Sequence, residues 1–316
     1  MQNKKIFFAF LTVLVSTLIF GQGRTSEIGL ISDNDLYTSS KNDMYYTNGL
    51  EIFYRFLSKK ENDKINKKIT EFRIGQYLYN PRFINKEAVT INNRPFAGYL
   101  FAEAGRSFFY QSESVLKTDF QLGYVGQNAF GQEMQENFHK IIGYKKVYGW
   151  ENQIHNALAV QAHVLYSKKL FPDKHNDFID LHFQSEANFG TIFTGASTGF
   201  LSRIGFRKLL PVYDSNLHEA SVSFEPQFNV KEFYFYAMPS INYQLYDATI
   251  QGSLFNDTSP VTFDLVPWRF NAELGLKYRY NNFNISYSFI YHGKELKSHN
   301  MTGSFYGSIR MGFLLK

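Results

Sequence analysis

The chain contains no cysteine. That absence rules out a disulfide framework and a lipid anchor attached through sulfur. It also lacks a basic block, since 33 Lys and Arg set against 28 Asp and Glu leave a formal charge of only +5. A nucleic-acid binder would gather its charge into one patch or stripe, so this small excess suits an anionic surface better. Beyond Phe20 no apolar run is long enough to cross a bilayer as a helix. A mature chain that lies in a membrane must therefore cross it as strands, because lipid offers no partners to an open backbone.

Aromatic rings are plentiful. There are 33 Phe and 22 Tyr, yet the mean hydropathy is -0.30. That pairing fits apolar residues turned outward in a belt around a polar interior. At the start, Lys4 and Lys5 precede "IFFAFLTVLVSTLIF", and Gly21-Gln22-Gly23 supplies small residues for cleavage. Residues 1-22 are expected to form an export signal, leaving one barrel domain over 23-316. A membrane anchor is the alternative, although the run is short for a span of about 20 residues.

Strand-period alternation recurs to the end of the chain. In "NGLEIFYRF", Leu50, Ile52, Tyr54 and Phe56 oppose Glu51, Phe53 and Arg55. In "DFIDLHFQSEANFG", Ile179, Leu181, Phe183, Ala187 and Phe189 oppose Asp180, His182, Gln184, Glu186 and Asn188. Such segments run about 10 to 14 residues, against roughly six in a soluble sandwich. The sequence therefore predicts an all-β, antiparallel transmembrane barrel of twelve strands. They fall near 26-35, 47-57, 68-78, 97-109, 114-126, 157-168, 178-191, 193-206, 231-248, 265-279, 282-292 and 303-315. The stretch 218-228 is assigned to a turn or insert, since single-chain bacterial barrels have even strand numbers. With the N-terminus in the periplasm, the connections 36-46, 79-96 and 127-156 lie at the cell surface. The last of these has a short helical segment, because Met134, Phe138, Ile141 and Ile142 recur three or four apart.

A polar cluster, "SDND", ends the first predicted strand, and Thr47-Asn48-Gly49 begins the second. Asp33, Asn34, Asp35 and Thr47 can meet across one hairpin, and their oxygens suit a hard cation such as calcium. The spacing is not that of an EF-hand, and ordinary turn chemistry is the plainer account. His139 follows Gln135 by one helical turn. A lone loop histidine is commonly just solvated. Beside a cation, however, it can deprotonate water while the cation stabilises an ester's oxyanion. That chemistry needs no serine nucleophile. The His-x-Ser-Asn-Gly motif of outer-membrane phospholipases has no match, since His299-Asn300 and His218-Glu219 both fail it.

Four blocks in order carry a family resemblance: "SDND", "YYTNGLEIFY", "NNRPFAGYLF" and "GQEMQENFHKIIG", with Trp150 beyond. Together they resemble the outer-membrane lipid A deacylase family over the first half of the mature chain, and the second half matches only as strands. The resemblance implies a twelve-stranded barrel that removes the 3'-linked acyloxyacyl chain of lipid A, calcium-dependently, through a histidine-activated water similar to that of secreted phospholipase A2. It further implies His139 as general base and Asn34 and Asp35 at or beside calcium. Thr47 would shape the same site, and Gln135 would orient the base or bind substrate. Arg94 would face a lipid A phosphate or hold its loop. Lys145 and Lys146, with Lys41, Lys86 and Lys140, would meet phosphates of lipopolysaccharide in the outer leaflet or remain solvated loop charge. Two departures stand out: Asp33 replaces the usual Glu, and the chain ends on Lys316 rather than an aromatic residue. The competing readings are a porin-like or structural barrel and an esterase acting on phospholipid.

Overall fold

Successive side chains on a strand point to opposite faces, so unbroken alternation over long strands calls for one wet face and one apolar face. A computed structural model resolves this as a closed antiparallel barrel in which every strand pairs with its sequence neighbours and the first pairs with the last. The structure describes residues 23-38, 45-60, 62-82, 93-143, 147-172, 176-226, 229-255, 258-298 and 301-316. The predicted export signal, and with it the cleavage point, lies outside the described residues. The strands are β1 (Ser26–Asn34), β2 (Tyr45–Ser58), β3 (Ile65–Asn80), β4 (Ala97–Tyr110), β5 (Ser114–Val125) and β6 (Ala157–Leu170). They continue as β7 (Ile179–Gly190), β8 (Phe193–Gly205), β9 (Lys231–Asp247), β10 (Trp268–Tyr280), β11 (Phe283–Gly293) and β12 (Gly303–Leu315). The largest shifts are at the starts of β3, three residues earlier than expected, and of β10, three residues later. Residue 265 lies before the strand and makes only an isolated bridge, Leu265 to Leu296.

The two faces behave as the alternation requires. Ile52, Tyr54, Phe72, Ile74, Phe120, Leu122 and Phe270 are exposed on the outer wall. The inner wall is charged and paired: Arg73 meets Glu51 at 2.7 Å, Arg55 meets Glu71 at 2.6 Å, and His163 meets Asp119 at 2.8 Å. Arg55 also lies over the Phe53 ring, 4.1 Å from its centroid. Pairing of this kind is what makes buried charge tolerable.

At the end of the barrel that carries Ser26 and Leu315, most connections are short. Between β10 and β11 only Asn281 and Asn282 intervene, with Asn281 at φ 51°, the left-handed backbone that asparagine accepts in tight hairpins. The segment from 206 to 230 is the exception. Its described residues contain no strand, in keeping with the expected insert, and they turn into the barrel mouth as a plug. Val212, Ala220 and Val222 pack with Ile69, Phe109, Val115 and Leu314. Lys67 donates to the Ala220 carbonyl at 2.8 Å, Lys277 to that of Leu217 at 2.9 Å, and Arg279 to that of Ser221 at 3.0 Å. Glu219 pairs with Lys117 and Arg310.

The opposite rim is also covered. Arg94 donates to Glu295 at 3.0 Å and to Thr249 at 2.8 Å, joining three connections over the lumen. Tyr45, Ile250, Leu265, Leu296 and Met301 pack beside them. Between plug and cap lies a polar cavity of about 390 Å3 lined by Glu51, Arg73, Glu103, His163 and Arg310 among others. Reconstituted in a planar bilayer, the intact protein is expected to pass no steady current. A stable open conductance would show that the plug or the cap leaves its seat.

Candidate functional site

The first connection leaves β1 through a 3-10 turn, Asp35–Tyr37, and Asn34 starts that turn by accepting the Leu36 N–H on its Oδ1 at 2.8 Å. Asx side chains commonly cap such turns in this way. Asn34 sits opposite Asn48 in the β1–β2 register, and both amides lie on the outward face of the wall. The third connection supplies helix α1 (Gly131–Ile142), which ends at Gly143 with φ 76°, the left-handed C-terminal glycine that helices favour. This helix covers the outer face of the wall instead of entering the lumen. Gln76 donates its amide to the Ala129 carbonyl just before the helix. At Gly131 an added Cβ would stand 2.7 Å from the Trp150 ring and 3.1 Å from Leu78, so only glycine permits this approach.

Helix and wall enclose a cavity of about 20 Å3 lined by Asn34, Asp35, Leu36, Asn48, Leu78, Gln135, Phe138 and His139. That is enough for about one water-sized occupant. Asp35, Gln135 and His139 are 2 %, 4 % and 7 % exposed, so these polar groups sit in a largely dry setting. Gln135 has a fixed orientation. Its Oε1 accepts the Trp150 indole N–H at 2.7 Å, which leaves its NH2 donors for other partners. Trp150 is itself buried among Leu78, Phe96 and Val147. Trp150→Phe keeps the ring packing and removes only that donor. It is expected to cost about 1 kcal/mol, the worth of one lost buried hydrogen bond, read as a lower temperature of heat-modifiable gel migration.

The structure thus brings together Asn34, Asp35, Gln135 and His139 from segments a hundred residues apart in sequence. Thr47 lies on β2 at the point where the β2–β3 register shifts, between Tyr46 and Asn48, and its side chain is outside the described residues. Lys145, Lys146, Lys41 and Lys86 are outside them as well, while Lys140 is exposed on α1. One expectation needs correction. Asp33 does not join the cluster, because alternation turns it into the lumen, where its Oδ2 accepts the Tyr46 hydroxyl at 2.8 Å. Of the two roles expected for Arg94, holding its loop is the one its surroundings fit, since it is wholly buried on Glu295 and Thr249, with the Tyr79 ring centroid 4.6 Å away. Asn48, next to Thr47, also lines this cavity. Its place opposite Asn34 follows from the hairpin register, which the sequence did not determine by itself.

Chemically, the lining offers one carboxylate, three amides and one imidazole. Among the described lining residues there is no serine, cysteine or lysine. The oxygens of Asn34, Asp35 and Asn48 form a hard donor set, as calcium prefers. No group of three or more His, Cys, Asp or Glu able to hold a metal occurs among the described residues. A cation here would rest on one carboxylate plus neutral oxygens.

Comparison with known proteins adds an independent line. The family model described as outer membrane protein LpxR matches residues 6–315. A search of curated protein sequences finds no match. Among solved structures, LpxR from Salmonella typhimurium superposes with a TM-score of 0.72 at 21% identity, covering 92% of this chain and 100% of that one. The β domain of the Bordetella autotransporter BrkA gives a TM-score of 0.48 at 10% identity, over 92% of this chain and 99% of that one. A family match over nearly the whole length, on a closed twelve-stranded barrel, places this chain in the LpxR family of outer membrane proteins.

Proposed function

We propose that this protein is a calcium-dependent lipid A 3'-O-deacylase that hydrolyses the ester of the 3'-acyloxyacyl chain with a water activated by His139. One observation carries the reading beyond family membership. His139, Gln135, Asp35 and Asn34 converge on the outward side of the wall, the side that meets lipid, and not on the lumen. With the chain termini in the periplasm, that rim faces the outer leaflet, where lipid A resides.

In this reading His139 takes a proton from water as it attacks the ester carbonyl and later returns it to the departing hydroxyl. Gln135, held by Trp150, directs its amide N–H groups toward the imidazole or the substrate. Asn34, Asp35 and Thr47 would hold calcium, with Asn48 a further candidate, and a bound calcium would stabilise the negative charge that develops on the ester oxygen. The dry walls of Leu36, Leu78 and Phe138 strengthen each of these interactions. A pore is poorly served by a lumen that residues of the 206-230 segment enter at one end and that Arg94, Glu295 and Thr249 bridge at the other.

The test is mass spectrometry of lipid A incubated with purified protein in calcium or in chelator, alongside Asp35→Asn. Loss of one acyloxyacyl group with calcium, its absence in chelator, and restoration on adding calcium back are expected. The Asp35→Asn protein should need far more calcium for the same rate. Unchanged lipid A from a folded barrel, with hydrolysis of phospholipid in the same vesicles, would replace this substrate by the other.

A further inference from the structure

Helix α1 has a third face that the proposed chemistry does not use. At 100° per residue, Gln135 and His139 form the face buried on the wall. Gln132, Glu133, Glu136, Asn137 and Lys140 form a polar face. Phe130, Met134 and Ile141 fall within one narrow arc between them, and they are 57 %, 37 % and 82 % exposed. Phe138 stands at the edge of that arc, half-buried, and also lines the cavity. A continuous apolar path thus leads from the helix surface to the site. Phe130 adds a second observation. It holds a left-handed backbone at φ 54° and caps the helix without any side-chain hydrogen bond. Glycine would take that conformation at no steric cost, so a phenyl group there is retained against a local penalty.

The stripe is continuous with a surface that already has an occupant. The helix rests on the outward face of β3 and β4, and the same faces of β2, β3 and β5 carry exposed Ile52, Ile74 and Leu122, part of the belt that meets lipid. A short helix with one apolar and one charged side, lying beside such a belt, has the form of an interfacial membrane element. We propose that Phe130, Met134 and Ile141 dip among the acyl chains of the bilayer, and that Phe138 is the threshold over which a chain passes toward His139. The first part rests on the barrel's place in the membrane, and the second rests on the hydrolase reading above.

The absence of cysteine makes the test direct. Ile141→Cys and Glu133→Cys are each labelled with a bimane fluorophore, and the proteins are reconstituted into phosphatidylcholine vesicles with or without bromine on the acyl chains. Heat-modifiable gel mobility verifies that each barrel is folded. The label at 141 is expected to be quenched at least twofold by brominated chains and shielded from aqueous iodide, with the opposite pattern at 133. Equal iodide quenching at both positions overturns the proposal. Shielding at 141 without bromine quenching does so too, since a second protein surface would then cover the stripe. For the threshold, Phe138→Ala is compared with Ile141→Gln on vesicle-embedded substrate, and a rise in KM on the order of tenfold for both is expected. If no variant or wild type deacylates lipid A while the quenching pattern holds, the hydrolase reading and the threshold fail and the membrane seat stands.

Discussion

Replacing His139 by alanine is expected to lower lipid A deacylation by roughly 10²–10⁴-fold, the usual worth of a positioned general base, in a barrel that still folds. His139 is buried beneath α1 beside Asp35 and Asn34, but its backbone belongs to a helix seated by Gln76, Gly131 and Trp150. Loss of the ring removes a functional group without removing what holds the helix. The loss should lie in kcat with KM changed little, because water activation is felt in the transition state and not in lipid binding. Calcium should not rescue the variant, whereas it should partly rescue Asp35→Asn. A His139→Ala protein with near wild-type turnover, measured by mass spectrometry of the released acyl chain, would remove the base from the mechanism and leave the cavity without a proton acceptor of the right kind.

Arg94→Ala is expected to destabilise the rim by about 3–5 kcal/mol, the cost of leaving a buried charge without its partner. Arg94 is wholly buried, and among the described residues Glu295 would keep Arg269 at 3.2 Å and His292 at 3.5 Å. Thr249 would lose its donor as well. The predicted signs are faster proteolysis of the connection at 248-267 and a lower temperature of heat-modifiable migration. Arg94→Lys should recover only part, since one ammonium cannot serve Glu295 and Thr249 in the geometry of a planar fork.

Acid probes the same keystone. Burial acts to raise the Glu295 carboxyl, but His292, Arg94 and Arg269 outweigh it and hold the group well below its ordinary value of 4.5. A depressed folded value means that the unfolded chain binds the proton first as pH falls. The contribution is therefore complete above about pH 4.5 and declines below it. The wild-type rim should lose stability through that window, and Arg94→Ala should show a shallower slope.

The barrel was legible because its signal is repeated. Twelve segments alternate over lengths that soluble strands rarely reach, and most keep one face apolar while the other carries the polar and charged residues. The helix was legible too, from Met134, Phe138 and Ile141. What periodicity could not supply was the side of the wall on which loop residues come to rest. Asp33 and Asn34 are adjacent in sequence, but the pleat sends one to Tyr46 in the lumen and the other to His139 outside. Arg94 read as a loop cation because nothing local announces Glu295, which lies two hundred residues away. The plug left almost no pattern, since a segment that bonds through carbonyls to lysines and arginines of the wall needs no alternation of its own.

That plug bears on how the molecule is assembled. Its carbonyls and carboxylates are met by Lys67 of β3, Lys117 of β5, Lys277 and Arg279 of β10 and Arg310 of β12. The Ser223 N–H also donates to the Arg24 carbonyl at 2.7 Å, beside the seam where β1 meets β12. Partners drawn from the first and last strands are not in place until the sheet closes. A sheet that closed around an empty mouth would in turn trap several cations without their acceptors. The plug's seat and the β1–β12 seam thus share neighbours, and an insertion intermediate with an open seam is expected to have residues 206-230 accessible to protease.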